Sequence, residues 1–202
     1  MLRKGKESCE EEMVLEFLKA EIKSEKPAHR NYILNALVNR GIGEEIINNG
    51  NLSDDKENTL RTEILGESRG YKNNQYLFEG FPDDISWHWG SLDCEDSERL
   101  RYPNTLEWRE LSGYTRSPSE TAKYVLSGMI PGEGFFDTLE YLKAGGLLPP
   151  LILFAGAKEE QFIILDGCHR ATAYALEPFY LQNTKVLVGY CRPESLAKWK
   201  WV

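Results

Sequence analysis

The side chains best suited to chemistry lie in one short run of the sequence, Asp166-Gly167-Cys168-His169-Arg170. The run places a carboxylate, a thiol, an imidazole and a guanidinium between an apolar segment and a segment of helix-forming residues. The start of a helix is a ready anion site, because its first N–H groups have no intrahelical acceptor and the helix dipole is positive there. The pattern therefore predicts a site for an anion such as a phosphoryl group.

Each residue of this run has a distinct chemical use. Gly167 lets the backbone turn sharply and lets a ligand approach closely. Arg170 could make a bidentate contact to phosphate oxygens, and His169 could donate a hydrogen bond or carry a proton. Asp166 could hold Mg²⁺ or act as a base. The backbone of Cys168 would complete the cradle around the anion.

The strength of a helix end decides which of these residues are needed. A helix terminus contributes about 0.3–2 kcal/mol, whereas binding a millimolar ligand requires about 4 kcal/mol. We therefore expect Arg170, a metal ion or further side chains to take part. The alternative is a structural turn without a ligand, in which Asp166 caps the helix and Arg170 pairs with it.

A second group of polar residues, Thr115 and Arg116, lies just before a predicted helix start. The letters S-P-S-E at 117–120 put a serine three residues before a glutamate, with proline at the first helical position. That arrangement is typical of a capped helix. Either Ser117 only caps this helix, or Thr115 and Arg116 also form a second anion contact that faces the turn at Gly167.

The elements that position the run belong to the C-terminal half of the chain. Leu151–Phe154 and Phe162–Leu165 are apolar runs of strand length, and the letters A-K-E-E at 157–160 predict a turn between them. A helix at Cys168–Leu176 and an alternating strand at Lys185–Tyr190 follow. Because helices precede these strands, the pattern predicts an α+β domain over residues 101–202.

The first hundred residues predict a helical and irregular N-terminal extension, 1–100. Apolar residues at helical spacing indicate one helix at Glu10–Lys23 and a second from Pro27 to a stop at Gly41. Asn48–Asn58 is rich in Asn, Asp and Gly and predicts an exposed loop, and Gly66–Asp96 shows little periodicity. The extension is interpreted as a packing layer, with a face for a protein partner as the alternative.

The C-terminal half resembles the ParB/sulfiredoxin superfamily over roughly 135–190, about a quarter of the chain. The superfamily pattern is a strand after Pro-Pro or Pro-Ile, a second strand, a G-x-H-R turn, a helix and a further strand. The matching residues here are Pro149-Pro150-Leu151-Ile152, Ile163-Ile164-Leu165, Gly167-Cys168-His169-Arg170 and Val186-Leu187-Val188. The resemblance implies a nucleotide-binding fold whose turn grips the phosphates.

Two branches of the superfamily compete for this turn. Sulfiredoxins carry G-C-H-R, which gives Cys168 the role of nucleophile in a thiol reductant. The free serine kinases and related phosphotransferases carry D-G-x-H-R, which would make Asp166 both a metal ligand and a catalytic residue. A carboxylate beside a thiol raises the pKa of that thiol and opposes its ionisation, so the phosphotransferase branch is favoured. The ParB branch binds CTP and DNA, but the chain lacks its basic helix-turn-helix part.

The composition of the chain disfavours several classes of partner and site. The net charge of −8 disfavours nucleic acid as a partner, since such binders present a basic face. The apolar runs are too short to span a bilayer, and the N-terminal sequence resembles no secretory signal, so the cytoplasm is the expected location. The four cysteines include no C-x-x-C pair, which disfavours a zinc site and a disulfide framework.

Trp87-His88-Trp89 has two interpretations, aromatic packing around a partly buried histidine or a stacking platform for a nucleobase. Trp199 and Trp201 are expected to dock the C-terminal tail onto the body of the protein.

These observations predict a protein that binds ATP or ADP with Mg²⁺ and acts as a phosphotransferase or ATPase on a small-molecule acceptor. Asp166, His169 and Cys168 are the predicted catalytic residues, and Asp166 is the predicted metal ligand. The predicted nucleotide contacts are Gly167, Cys168, His169, Arg170, Arg116 and Thr115. Two alternatives remain open: a sulfiredoxin-type thiol reductant that uses Cys168, and a non-catalytic module that senses a nucleotide or binds a partner.

Overall fold

The computed structural model describes residues 2–24, 27–156 and 161–202. Its strands are β1 (Arg3–Ser8), β2 (Ser86–Leu92), β3 (Leu100–Arg101), β4 (Leu151–Gly156), β5 (Phe162–Asp166) and β6 (Thr184–Cys191). Its helices are α1 (Glu10–Ile22), α2 (Pro27–Asn39), α3 (Glu45–Asn48), α4 (Asp55–Arg69), α5 (Leu106–Leu111), α6 (Pro118–Leu126), α7 (Glu133–Lys143), α8 (Cys168–Leu176) and α9 (Pro193–Leu196).

The strands form one mixed sheet in the order β1-β2-β6-β4-β5-β3. Strand β2 is antiparallel to both β1 and β6, and β4 is antiparallel to β5. The pairs β4–β6 and β3–β5 are parallel. The predicted α+β class is therefore confirmed. Strands β1 and β2 lie within the first hundred residues, so the sheet draws on both predicted parts of the chain.

Helices cover both faces of the sheet, which explains the continuous apolar runs of its central strands. Along β4, Ile152 and Phe154 point to the layer formed by α1 to α4. Leu151, Leu153 and Ala155 point to the opposite layer, which contains α5 to α8. This alternation follows from the two-residue period of a strand. The central strands are thus buried on both faces, with one helical layer on each.

Several local predictions are confirmed. Helices α1 and α2 occupy the two predicted N-terminal segments, and Gly41 lies just beyond α2 with a left-handed φ of 65°. Strands β4, β5 and β6 and helix α8 also form where they were expected. The Ser117 hydroxyl caps α6 by accepting a hydrogen bond of 3.4 Å from the Glu120 N–H. The predicted turn at 157–160 lies outside the described residues.

One prediction for the N-terminal half is wrong, and one strand there was not predicted. The loop expected at Asn48–Asn58 is shorter, because Asp54 caps α4 by accepting from the N–H groups of Lys56 and Glu57. The segment Gly66–Asp96, which shows little periodicity, contains strand β2. None of the helices in the described residues is long and apolar enough to cross a membrane.

Candidate functional site

The run at 166–170 forms the turn from β5 into α8, as its sequence predicts. Strand β5 ends at Asp166, and α8 begins at Cys168. Between them, Gly167 has a left-handed φ of 102°. A Cβ atom at this position would lie 2.5 Å from Leu151 Cδ2 and 2.7 Å from Arg170 Nη2. Glycine is needed here both for its backbone conformation and for the close packing of its neighbours.

This turn opens directly into a cleft of about 520 Å³. All five residues of the run line it, so the structure brings most of the predicted site together. The cleft lies between the two helical layers and has a volume typical of small-molecule sites. Its other lining residues include Phe17, Glu21, Lys23, His29 and Arg69 from the N-terminal layer and Pro103, Thr105 and Trp108 from the opposite side.

Asp166 and Arg170 form an ion pair within the turn, through Asp166 Oδ2 and Arg170 Nη2. Their side chains are only 17% and 12% exposed, so solvent screens the pair weakly. The Arg170 Nε atom is buried and has no hydrogen-bond partner among the described residues. The pairing proposed for a purely structural turn is therefore present, but Asp166 does not cap α8. A phosphate ligand would compete with Asp166 for the guanidinium.

Aromatic side chains hold the ring of His169 in the cleft. The Phe135 ring lies 4.6 Å from it, centroid to centroid, and the Trp108 ring lies 5.8 Å away, nearly edge-on. These contacts come from α7 and α5, which fix the orientation of an otherwise rotatable imidazole. His169 can therefore present a ring nitrogen to a ligand from a defined position.

Cys168 is half-buried and also lines the cleft. Its carbonyl accepts a hydrogen bond of 2.9 Å from the Thr172 hydroxyl, whose oxygen lies 2.6 Å from the Tyr102 hydroxyl. Burial raises the pKa of Tyr102, so this phenol stays protonated. The polar chain anchors the first turn of α8 to the segment that follows β3.

Thr115 and Arg116 do not line the cleft. The Thr115 hydroxyl donates to the Ser112 carbonyl at 2.7 Å. The Arg116 guanidinium donates to the backbone carbonyls of Tyr102, at 2.9 Å, and Trp201, at 3.3 Å. These bonds hold the C-terminal tail against the segment after β3. The structure thus places both residues in a structural role and gives no support to a second anion contact there.

Sequence reasoning missed the part of the site contributed by the N-terminal layer. Glu21, at the end of α1, is 4% exposed and accepts hydrogen bonds at Oε1 from Nε and Nη2 of Arg69, the former at 3.0 Å. Its other oxygen, Oε2, has no hydrogen-bond partner among the described residues. A signal was present, since Glu21 continues the helical stripe of Phe17 and Leu18, where an apolar residue is expected.

Two of the carboxylates that line the cleft, Glu21 and Asp166, influence each other. Burial is the main cause that raises the pKa of Glu21, and Asp166 raises it further. Arg69 and, more weakly, Arg170 oppose this shift. Two carboxylates and two guanidinium groups therefore share one electrostatic environment, and their formal charges cancel.

Some of the residues that line the cleft contain buried polar atoms without a hydrogen-bond partner. Buried polar atoms without a hydrogen-bond partner are rare, and each costs about 1–3 kcal/mol. In the part of the chain that the structure describes, three such atoms belong to cleft residues: Glu21 Oε2, Thr105 Oγ1 and Arg170 Nε. An acceptor, a hydroxyl and a donor without hydrogen-bond partners therefore belong to residues that line one cavity.

The aromatic candidate Trp87-His88-Trp89 lies in β2, away from the cleft. Trp87 and Trp89 are 4% and 5% exposed, which leaves no open face for a nucleobase. The packing interpretation is confirmed. Trp108, in contrast, lines the cleft and stacks on Tyr102 at 4.5 Å between ring centroids.

The residues present suit an anion better than a metal held by the protein alone. Over the residues described, no group of three or more His, Cys, Asp or Glu side chains could hold a metal ion. Asp166 is a single carboxylate that already pairs with Arg170. Mg²⁺ commonly binds through one or two carboxylates and the phosphates of its substrate, so Asp166 fits an ion that arrives with a nucleotide.

Comparisons with known proteins assign no family. A scan against protein-family models, a search of curated proteins and a search of solved structures each returned no match. The ParB/sulfiredoxin resemblance of the turn and its flanking strands therefore stays a prediction from the sequence.

Proposed function

We propose that the cleft binds ATP or ADP and that the protein is a Mg²⁺-dependent phosphotransferase or ATPase of the ParB/sulfiredoxin-like type. One observation carries the proposal. The strand–glycine–helix turn at 166–170 lies in the wall of a cavity of nucleotide size, with Arg170 and His169 beside the helix start. The sequence of elements β4, β5, α8 and β6 supports the same assignment.

The Asp166–Arg170 pair gives the site two functional states. A phosphate group carries more charge than a carboxylate and offers more acceptor oxygens, so it competes effectively for the Arg170 guanidinium. Rotation of Arg170 towards the phosphate would satisfy its buried Nε atom and release the Asp166 carboxylate. Phosphate binding and the exposure of a base are thereby coupled.

The released carboxylate is placed to serve the transfer. Asp166 would accept the proton of an acceptor hydroxyl while the acceptor oxygen bonds to phosphorus and the bond from phosphorus to the leaving phosphate oxygen breaks. His169, oriented by Phe135 and Trp108, would hold the transferring group. Mg²⁺ would neutralise phosphate charge when bound, and Asp166 is the carboxylate available to contact it.

Nucleotide binding is tested by calorimetric titration of ATP, ADP, CTP and inorganic phosphate, with and without Mg²⁺. Arg170→Ala should weaken nucleotide binding by about 10- to 150-fold, as expected for the loss of a charged hydrogen bond of about 1.5–3 kcal/mol. Arg99→Ala is the matched control, because Arg99 also pairs with a nearby acid, Asp96, at 2.8 Å, but lies outside the cleft. Absence of nucleotide binding by the parent would contradict the proposal.

The thiol-reductant alternative retains one supporting observation, the position of Cys168 in the cleft. The two activities respond differently to one variant. Cys168→Ser should preserve nucleotide binding and turnover if Asp166 and Arg170 do the chemistry, and it should abolish turnover if the thiolate is the nucleophile. Nucleotide binding without turnover by the parent would favour the non-catalytic sensor.

A further inference from the structure

The N-terminal wall of the cleft contains a buried carboxylate oxygen to which no described residue donates a hydrogen bond. Glu21 is 4% exposed and lines the cleft, and its Oε1 atom is held by Arg69. Its Oε2 atom is buried and has no hydrogen-bond partner among the described residues. The His29 Nδ1 atom lies 4.0 Å from Oε2, which is within ion-pair distance when the imidazole is protonated but too far for a hydrogen bond.

The charges around Glu21 indicate what kind of group would bind there. Arg69 already neutralises the charge of the carboxylate. What Oε2 lacks is therefore a hydrogen-bond donor rather than a second cation. An ammonium group would also meet the positive charges of Arg69 and Lys23, which line the same side of the cleft. A second anion would be repelled by the carboxylate. A neutral O–H donor meets the requirement at no electrostatic cost.

Glu21 and the turn at Gly167 can contact the same ligand. Glu21, Asp166 and Arg170 all line the one cleft, and the electrostatic influence of Asp166 and Arg170 reaches the Glu21 carboxylate. A ligand with phosphates at the start of α8 could therefore place a hydroxyl group against the opposite wall.

We propose that Glu21, positioned by Arg69, forms a hydroxyl-binding subsite for the ligand whose phosphates lie at the turn. This inference rests on the proposed nucleotide binding. The hydroxyl belongs either to the ribose of the nucleotide or to a separate alcohol acceptor, since both offer the same donor. The helical extension is then part of the site in addition to being a packing layer.

The test uses Glu21→Gln, which keeps the size of the side chain and one oxygen to accept from Arg69. The other oxygen becomes an NH₂ group, which cannot accept a hydrogen bond. Glu16→Gln is the matched control on the same helix, because Glu16 pairs with Lys19 at 2.9 Å and does not line the cleft.

Calorimetry with three probes separates the phosphate contacts from the hydroxyl contact: pyrophosphate, ADP and 2′,3′-dideoxy-ADP. If the ribose supplies the hydroxyl, Glu21→Gln should weaken ADP binding about tenfold, as for one hydrogen bond to a charged group. Pyrophosphate binding should change less than twofold. Dideoxy-ADP should bind the parent about as weakly as ADP binds the variant, with no further loss in the variant.

A second experiment tests whether the hydroxyl group belongs to a separate alcohol acceptor. Glycerol titrated into the ADP-saturated protein should bind the parent and the Glu16→Gln control, and its binding should be lost in Glu21→Gln. If the variant changes neither ADP nor glycerol binding, the subsite proposal is wrong while nucleotide binding stands. An equal loss for pyrophosphate would also overturn it, since it would reveal a general disturbance of the cleft. A parent that binds neither pyrophosphate nor ADP overturns both proposals.

Discussion

The two walls of the cleft each contain a carboxylate–arginine pair, but the pairs are built in opposite ways. Asp166 and Arg170 are four residues apart on one strand–helix turn. Glu21 and Arg69 are 48 residues apart and join α1 to α4. The first pair is part of a rigid local motif, whereas the second exists only after two helices have packed on the sheet.

This difference suggests separate roles for the two pairs, ligand binding for Asp166–Arg170 and the packing of α1 on α4 for Glu21–Arg69. We expect the local pair to exchange its partner for a ligand at little cost to the fold, because β5 is also held by its pairing with β3 and β4. The long-range pair helps hold the helices that form the opposite wall, so it is expected to contribute more to stability. The substitutions below test that contrast.

Removal of Arg69 should have the largest effect on stability. Arg69→Ala leaves the buried Glu21 carboxylate without its cation, and the expected loss is about 3 kcal/mol in the free energy of unfolding. This lies at the low end for buried pairs because Arg69 is 26% exposed. Arg170→Ala should cost less, since the Asp166 carboxylate that it leaves behind is 17% exposed whereas Glu21 is only 4% exposed. Urea denaturation measures both, and equal losses would remove the contrast.

The turn itself is tested by Gly167→Ala, for which we expect a loss of about 2–3 kcal/mol. A left-handed backbone costs a non-glycine residue about 1–2 kcal/mol, and the new Cβ would also lie 2.5 Å from Leu151 Cδ2. Gly128→Ala is the control, because Gly128 has a φ of 74° but open space around its Cβ position. A loss at Gly167 no greater than at Gly128 would show that close packing at the turn contributes nothing.

A smaller effect should appear in the pH dependence of stability. Burial raises the pKa of Glu21 above its ordinary value of 4.5, so the folded protein holds this proton more tightly than the unfolded chain. The stabilisation is complete below pH 4.5 and is lost as the pH rises through the folded-state pKa. Relative to Glu21→Gln, the parent should therefore lose thermal stability over this range, whereas Glu16→Gln should follow the parent.

Local chemistry explains what the sequence could predict. The glycine turn, the apolar strands beside it and helix α1 each depend on neighbouring residues, and all were identified. Strand β1 could not be found, because its letters R-K-G-K-E-S are those of a charged sheet edge without an apolar signal. The contact between Glu21 and Arg69 depends on the packing of two helices, which no spacing in one sequence specifies.

The position of Arg116 was unpredictable for a related reason. Its sequence neighbourhood, beside a capped helix, is compatible with an anion site. Its actual partners are the carbonyls of Tyr102 and Trp201, the second of which lies 85 residues away. A long arginine side chain reaches whichever acceptor the tertiary structure brings near, and only the folded chain decides which.

The C-terminal tail bonds to both sides of the cleft. The Trp199 indole donates to the Leu77 carbonyl at 2.8 Å, and the Trp201 carbonyl accepts from the Asn104 N–H at 2.8 Å. Leu77 lines the cleft, as do both neighbours of Asn104. A change in the separation of the walls would therefore have to stretch or break the hydrogen bonds that hold the tail. Protease sensitivity of the last four residues would report, from outside the cavity, whether a ligand has drawn its walls together.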